Sequence, residues 1–312
     1  MLPYQDDFLL SIKTNNYSPE TIYNYERDLE VFRHFLARDL GISFSEITKR
    51  TIELYKAYLI SRDRKTPKGV EKKSVPRLSA GSINRMLSSL RRYLKYMIDM
   101  DYDAPIAPEA IKLTKMPRPH SRVAEFEALV RLIESPADFE KKREIVLRNR
   151  AMLETLFSTG MRISELVSLN RDQIDKTGRI FIRGKGRKER FVYLTDRAKG
   201  HIRNYLTMRS DDKPALFIPY SGRNMHKTDA RISPNYLQMK IKQYRMSLGI
   251  NVPTSAHSLR HGFATYLAEQ GANPAAIQIL LGHESLHTPT RYVHASDKYA
   301  ERTHRQFHPL KK

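Results

Sequence analysis

The chain has 312 residues, enough for two ordinary domains, and 40% of them are apolar, as in a globular protein. It has no cysteine, no apolar run of membrane-spanning length and no signal peptide pattern, which excludes a disulfide framework and thiolate metal sites and predicts a cytoplasmic protein that does not contact membranes. Lys and Arg number 55 against 34 Asp and Glu, and this net charge of +21 predicts a surface that binds phosphate groups.

Residues 1–112 are predicted to form a helical domain. Ser18 and Pro19 mark a helix start, as N-cap and first helical residue. Apolar residues recur at helical spacing in four segments, with almost no strand pattern: 4–14, 19–36, 45–60 and 79–100. The basic stretch 61–76 has no periodicity and is predicted to be a loop.

The helix predicted over 79–100 carries a basic face opposite its apolar face. Its members are Arg85, Arg91, Arg92 and Lys95. Each of them alone is better explained as a solvated surface residue. Together, next to a basic loop in a strongly positive chain, they predict contact with DNA phosphates.

Residues 113–122, with two prolines and no periodicity, are predicted to link this domain to a mixed α/β domain over 123–312. The pattern there indicates helices over 125–134, 142–159, 233–248, 263–270 and 273–281, with a helical tail over 297–305. Alternating segments predict a hairpin of strands 179–183 and 190–194, with Lys185 at its turn, and one further short strand over 216–219. The expected fold is therefore mainly α with a small β-sheet, in two domains.

Several side chains in this second domain suit the cleavage of a phosphodiester. His257 and Arg260 are three residues apart and share one face of a helix, where both can reach one anionic group. His283 follows a Leu-Leu-Gly break, and Tyr292 comes after it. Arginine neutralises phosphoryl oxygens, histidine moves protons and tyrosine can act as a covalent nucleophile, so this set needs no metal.

Arg162 and Glu165 open another predicted helix, one turn apart. On their own they would be an ordinary surface ion pair, which contributes little stability. Their importance depends on the rest of the set.

Read together, six residues resemble the active-site set of the tyrosine recombinase (phage integrase) family: Arg162, Lys185, His257, Arg260, His283 and Tyr292. The surrounding segments match as well, most closely those of Xer-type recombinases: Ser-Thr-Gly-Met-Arg-Ile-Ser-Glu-Leu, Gly-Lys-Gly-Arg-Lys-Glu-Arg, His-Ser-Leu-Arg-His-Gly-Phe-Ala-Thr and Leu-Leu-Gly-His-Glu-Ser. The resemblance covers nearly the whole chain. It implies that 1–112 is the family's SAM-like core-binding domain and that 123–312 is its catalytic domain.

The resemblance implies which residues bind the scissile phosphate. Arg162 and Arg260 would clamp it, and His283 would donate a hydrogen bond to it. Glu165 would support the site from behind these groups.

The resemblance also implies which residues carry the chemistry. Tyr292 would attack phosphorus and form a 3′-phosphotyrosine, Lys185 would protonate the leaving 5′ oxygen, and His257 would act as general acid and base. Because this exchange conserves bond energy, no cofactor, ATP or metal is implied.

The implied partner is duplex DNA with a short inverted-repeat target site. Strands would be exchanged through a Holliday junction in a homo-tetramer on two sites, or in a hetero-tetramer with a sister recombinase. The tail after Tyr292 would dock into a neighbouring protomer. Both dimer resolution and the integration or excision of a mobile element fit this description.

The sequence leaves three alternatives open. His257 and His261 have a spacing that could hold zinc, but no H-E-x-x-H motif or nearby acidic ligand accompanies them, and His261 is better explained as a packing residue. A type IB topoisomerase would share the Arg-Lys-Arg-His-Tyr chemistry. A DNA-binding protein without catalysis would share the basic surface, although every catalytic position holds a competent residue type.

Overall fold

The structure, a computed structural model, describes residues 2–61, 78–116, 124–183, 189–223, 225–282 and 297–310. The chain forms two compact units, Met1–Pro119 and His120–Lys312. The predicted fold class is confirmed, since the described residues are mainly helical with a small two-stranded sheet. No helix in the described ranges is both long enough and apolar enough to cross a membrane.

The first unit contains the helices α1 (Gln5–Thr14), α2 (Pro19–His34), α3 (Lys49–Ile60) and α4 (Ala80–Asp99), with a π-helical turn, Phe35–Leu40, after α2. Ser18 caps α2 as predicted, since its hydroxyl accepts a hydrogen bond from the Thr21 N–H at 3.2 Å. The apolar faces of the four helices meet in one core, which includes Phe8, Leu29, Phe32, Tyr55, Leu87, Leu90 and Tyr93. The predicted basic loop 61–76 lies, apart from Ser61, outside the described residues.

The beginning of the predicted linker is attached to the first unit. The Thr114 N–H donates to Asn84 Oδ1 at 2.8 Å, and Asn84 Nδ2 donates to the Thr114 carbonyl at 2.9 Å. Residues 117–123 lie outside the described part of the chain, so the boundaries 1–112, 113–122 and 123–312 stay predictions.

The second unit has nine described helices and one hairpin. The helices are α5 (Phe126–Glu134), α6 (Pro136–Phe139), α7 (Arg143–Thr159), α8 (Ile163–Ser168), α9 (Asp196–Met208), α10 (Pro234–Ser247), α11 (Ala256–Glu269), α12 (Pro274–Leu281) and α13 (Asp297–Phe307). Helix α7 is the central element, with its last nine residues all buried, and it packs against α5, α6, α8, α9 and α11. The end of α7 therefore leads from the middle of the core to Gly160 and Arg162.

The hairpin consists of β1 (Arg179–Arg183) and β2 (Glu189–Tyr193), paired antiparallel with Phe181 opposite Phe191. The connection 184–188, which contains Lys185, lies outside the described residues. The strand predicted over 216–219 is wrong. Its first three residues are buried and apolar but have no neighbouring strand in the described part, where only an isolated bridge forms beside them, between Ala215 and Asn170.

Helix α11 begins seven residues earlier than the predicted segment 263–270, because Ser255 caps it. The Ser255 hydroxyl accepts from the Ser258 N–H at 3.2 Å. His257 and Arg260 therefore lie in the first turns of one continuous helix, as their spacing indicated.

Helix α13 packs on its own chain, against β2 and α12. His304 and His308 are buried, and their Nε2 atoms bond the carbonyls of Ser158 and Phe157 in the last turn of α7. The resemblance implied docking into a neighbouring protomer. In the single chain the tail covers its own unit, where the two imidazoles satisfy carbonyls that a helix end leaves free, and docking into a neighbouring protomer stays a prediction.

Candidate active site

The site begins where α7 ends and α8 starts. Arg162 is the N-cap of α8, and its backbone N–H donates to Glu165 Oε2 at 2.7 Å. Its guanidinium also donates to Glu165 Oε1 at 3.0 Å, and the side chain is 37% exposed. Glu165 therefore fixes both the backbone and the direction of an arginine that still reaches solvent.

Glu165 is buried and is held from its other side by Arg190 on β2. Arg190 Nη1 and Nη2 donate to the two carboxylate oxygens at 3.1 and 2.8 Å. Burial alone would raise the pKa of the Glu165 carboxyl, but the hydrogen bonds and charge of Arg190, with the donors of Arg162, hold that pKa below its usual value. Glu165 is therefore an anion at neutral pH.

Arg260 comes from α11 and is 5% exposed. Its Nη1 donates to the Gly160 carbonyl at 2.7 Å, and its Nη2 donates to the Leu281 carbonyl at the end of α12. Burial, with the positive charges of Arg162 and Arg190, lowers the pKa of Arg260 to about 10. The guanidinium remains a cation at neutral pH, and its two hydrogen bonds join the C-terminal ends of α7 and α12.

His257 lies one helical turn before Arg260 and is exposed. Partial desolvation of its ring, followed by the charges of His261, Arg260 and Arg162, lowers the pKa of His257. The imidazole is therefore neutral at pH 7 and can accept a proton. The rings of His257 and His261 have centroids 4.5 Å apart, and no group of three or more potential metal ligands occurs among the described residues.

This arrangement has two cationic arginines, a carboxylate that orients one of them, and a neutral histidine beside them. The sequence pattern of the Phage integrase family matches residues 123–299, and that of the Phage integrase N-terminal SAM-like domain matches residues 6–100. The chain belongs to the phage integrase family. Among its members, the chain resembles the tyrosine recombinases of the Xer type, as the sequence indicated.

Relatives and solved structures of the family extend over nearly the whole chain. Tyrosine recombinase XerC of Chlamydia muridarum (strain MoPn / Nigg) is 29% identical, with 97% of this chain and 96% of that protein covered. The XerH recombinase bound to difH in a pre-cleavage complex has a TM-score of 0.64, 23% identity, and coverage of 90% of this chain and 78% of that chain. A lambda integrase tetramer bound to a Holliday junction has a TM-score of 0.66, 16% identity, and coverage of 94% and 79%.

As a phage integrase family member the chain is a DNA strand-transferring enzyme, and its function is site-specific tyrosine recombination. The described structure brings together four of the predicted site residues: Arg162, Glu165, His257 and Arg260. Lys185, His283 and Tyr292 lie outside the described residues, and the roles of all seven residues stay predictions.

Arg190 ends the family segment Gly-Lys-Gly-Arg-Lys-Glu-Arg, and the sequence alone assigns it no role. Its burial could have been predicted from the alternation of side chains along a β-strand. Arg190 shares the face of the predicted strand that carries Val192 and Leu194, both of which point into the core. An arginine at an inward position needs a buried partner, and the preceding helix supplies Glu165.

The predicted DNA-binding face lies on α4. Arg92 and Lys95 are exposed and Arg91 is partly exposed, as a binding face requires. Arg85 is also 40% exposed, but its guanidinium forms an ion pair with Asp28 of α2, whose side chain is 1% exposed. Arg85 therefore has a structural partner inside its own unit, beside its predicted contact with DNA phosphates.

Proposed function

We propose that the chain cuts and rejoins duplex DNA at a short inverted-repeat site through a 3′-phosphotyrosine on Tyr292. The observation that carries this proposal is that Arg162 and Arg260 lie close together. Arg260 donates to the carbonyl of Gly160, two residues before Arg162, and the charges of both arginines act on His257.

Two neighbouring cations repel each other unless an anion offsets their charge. Glu165 supplies one such negative charge, on one side of the arginines. A scissile phosphate would supply negative charge on the other side of the arginines.

The two arginines differ in what they offer the phosphate. A guanidinium has five N–H groups, and the carbonyls of Gly160 and Leu281 accept from two nitrogens of Arg260. No other hydrogen bond of Arg260 occurs among the described residues, and we assign its remaining donors to the non-bridging oxygens. Arg162, more exposed and oriented by Glu165, approaches from solvent. Donors fixed before the reaction need no reorganisation as charge develops on phosphorus.

The covalent step transfers one phosphoryl group between two oxygens. The Tyr292 hydroxyl oxygen bonds to phosphorus while the bond from phosphorus to the 5′ oxygen breaks. Neutral His257 accepts the phenolic proton, Lys185 gives a proton to the departing 5′ oxygen, and His283 donates a hydrogen bond to the phosphate. One phosphoester replaces another, and the reverse attack by a 5′ hydroxyl rejoins the strands without a cofactor.

The proposed substrate is bound by both units. Arg91, Arg92 and Lys95 of α4 contact the backbone of the duplex, and their positive charge supplies affinity without reading sequence. Strand exchange takes place among four protomers on two sites, all alike or paired with a sister recombinase. The lambda integrase tetramer on a Holliday junction, which shares this fold, supports that assembly.

The test uses a nicked suicide substrate, from which a cleaved strand cannot be religated. Wild type should form a denaturation-resistant protein–DNA adduct. Tyr292→Phe should bind DNA with unchanged affinity and form none, because only the hydroxyl is removed. Tyr299 is the next tyrosine along the chain, so Tyr299→Phe is the matched control and should form the adduct normally. An adduct that persists in Tyr292→Phe and disappears in Tyr299→Phe would show that the nucleophile is Tyr299.

The same assay separates the alternative functions. Relaxation of supercoiled plasmid without preference for a site would favour a type IB topoisomerase. Tight binding with no adduct from wild type would favour a DNA-binding protein without catalysis.

The acid role of Lys185 is tested by sulfur substitution. Lys185→Ala should cleave ordinary DNA about a hundredfold slower, since the 5′ oxygen is a poor leaving group without a proton. With sulfur at the bridging 5′ position the leaving thiolate needs no acid, so Lys185→Ala should approach the wild-type rate while Arg260→Ala stays slow. Lys188→Ala is the control and should cleave ordinary DNA normally. Sulfur rescue of Lys188→Ala alone would assign the acid to Lys188.

A further inference from the structure

Arg190 joins three segments of the catalytic unit at one buried point. It lies on β2, its two terminal nitrogens donate to Glu165 of α8, and its Nε donates to the Leu280 carbonyl of α12 at 2.9 Å. The residue is 8% exposed. All three guanidinium nitrogens are thus bonded within the protein, and little of the side chain reaches solvent.

The geometry of this contact is more exacting than stability requires. A buried arginine–carboxylate pair gains little over well-packed apolar side chains, because removing both charges from water offsets their attraction. What the pair does provide is direction: a bidentate fork fixes the plane and the rotation of the carboxylate. The carboxylate fixed here is the one that holds the backbone N–H and the guanidinium of Arg162.

We infer that Arg190 is a positioning residue for strand cleavage, which acts by fixing Glu165 so that Glu165 holds Arg162 at the scissile phosphate. The Leu280 carbonyl anchors the guanidinium and prevents it from turning with the carboxylate. This inference rests on the proposed function, because it assigns Arg190 a role through a phosphate-binding Arg162.

A positioning role and a purely structural role predict different results when two substitutions are combined. If Arg190 acts through Arg162, its loss should matter little once Arg162 is gone. If Arg190 only stabilises the fold, its substitution should leave the cleavage rate of the folded protein unchanged. If it acts by a route other than Arg162, its substitution should slow cleavage by the same factor in both backgrounds.

The experiment measures the single-turnover rate of adduct formation on the suicide substrate, at saturating DNA and below the unfolding temperature of every variant. Arg190→Met should lower this rate by about tenfold or more while DNA affinity changes little. In an Arg162→Ala background the same substitution should lower the rate by less than about threefold. Arg190→Lys, which keeps the charge but loses the fork, should resemble Arg190→Met and replaces it in the cycle if Arg190→Met does not fold.

Arg197→Met is the matched control. Arg197 on α9 also donates to a buried carboxylate, Glu154 of α7, at 2.8 Å. Its substitution should lower the unfolding temperature but leave the adduct rate within about twofold of wild type.

A wild-type rate in both Arg190→Met and Arg190→Lys, or an equal factor in both backgrounds, overturns the inference while the proposed function stands. A wild type that forms no adduct overturns the proposed function and the inference with it.

Discussion

Replacing Gly160 with alanine should both destabilise the catalytic unit and displace Arg260. Gly160 ends α7 in a left-handed conformation, with φ of 61°. A Cβ atom there would lie 2.4 Å from Cδ1 of Phe263, a fully buried side chain of α11. The carbonyl of the same residue accepts the hydrogen bond from Arg260 Nη1.

The size of the effect follows from two costs. A left-handed backbone costs a residue with a side chain about 1–2 kcal/mol. Forcing a methyl group against a packed ring costs about 1–3 kcal/mol. Gly160→Ala should therefore lower the free energy of unfolding by about 2–5 kcal/mol, and any shift that relieves the contact moves either the Gly160 carbonyl or the helix that carries Arg260.

Chemical unfolding of Gly160→Ala and of a control, Gly249→Ala, measures the two costs separately. Gly249 has φ of 67°, but no neighbouring atom lies within 4 Å of the position its Cβ would take. Gly249→Ala should therefore lose about 1–2 kcal/mol from its backbone alone and keep its cleavage rate. Equal losses in the two variants, or a normal adduct rate in folded Gly160→Ala, would refute the reasoning.

Three further predictions concern binding, stability and pH. Arg85→Ala should lower the free energy of unfolding by about 1–3 kcal/mol, because buried Asp28 loses the cation that it pairs with. Arg92 is exposed, so Arg92→Ala should change the free energy of unfolding by less than about 0.5 kcal/mol and still weaken DNA binding in a gel-shift assay. Burial lowers the pKa of His304 to about 4, so folding favours its neutral form, and about 3 kcal/mol of stability present above pH 6.5 is lost as pH falls towards 4. Because burial also lowers the pKa of neighbouring His308, unfolding of His304→Gln should show a smaller fall in stability over this range than wild type, by about 3 kcal/mol. Raising salt from about 50 to 200 mM should weaken DNA binding by about a thousandfold or more, and a flat response would exclude extensive phosphate contact.

Local rules were sufficient for most elements of the described structure. Ser18, Ser79 and Ser255 are capping residues whose hydroxyls accept from the N–H three residues on, and such caps can be read directly from the chain. The spacing of His257 and Arg260 placed both on one helix, as the structure has them. The hairpin followed from alternation in the same way, with its second strand displaced by one residue.

Errors occurred where a local pattern had more than one tertiary solution. Residues 216–218 are buried and apolar, which suits a strand as well as a segment packed among helices. Only the absence of a neighbouring strand in the described structure decides between them. Arg85 shows the same limit. Its position on a polar face predicted a free cation, while Asp28, far away in sequence, turned it into an ion-pair partner.

By itself, the sequence determined which residue types are available for the chemistry and on which elements the described ones lie, because caps, periodicity and family segments are properties of neighbours along the chain. The tertiary structure decided how these residues are held. Arg190 meets Glu165 across 25 positions, Arg260 meets Gly160 across 100, and His304 meets Ser158 across 146. Each contact pairs a buried polar group with a partner that only the packing of the core brings within reach, and burial makes such a partner necessary.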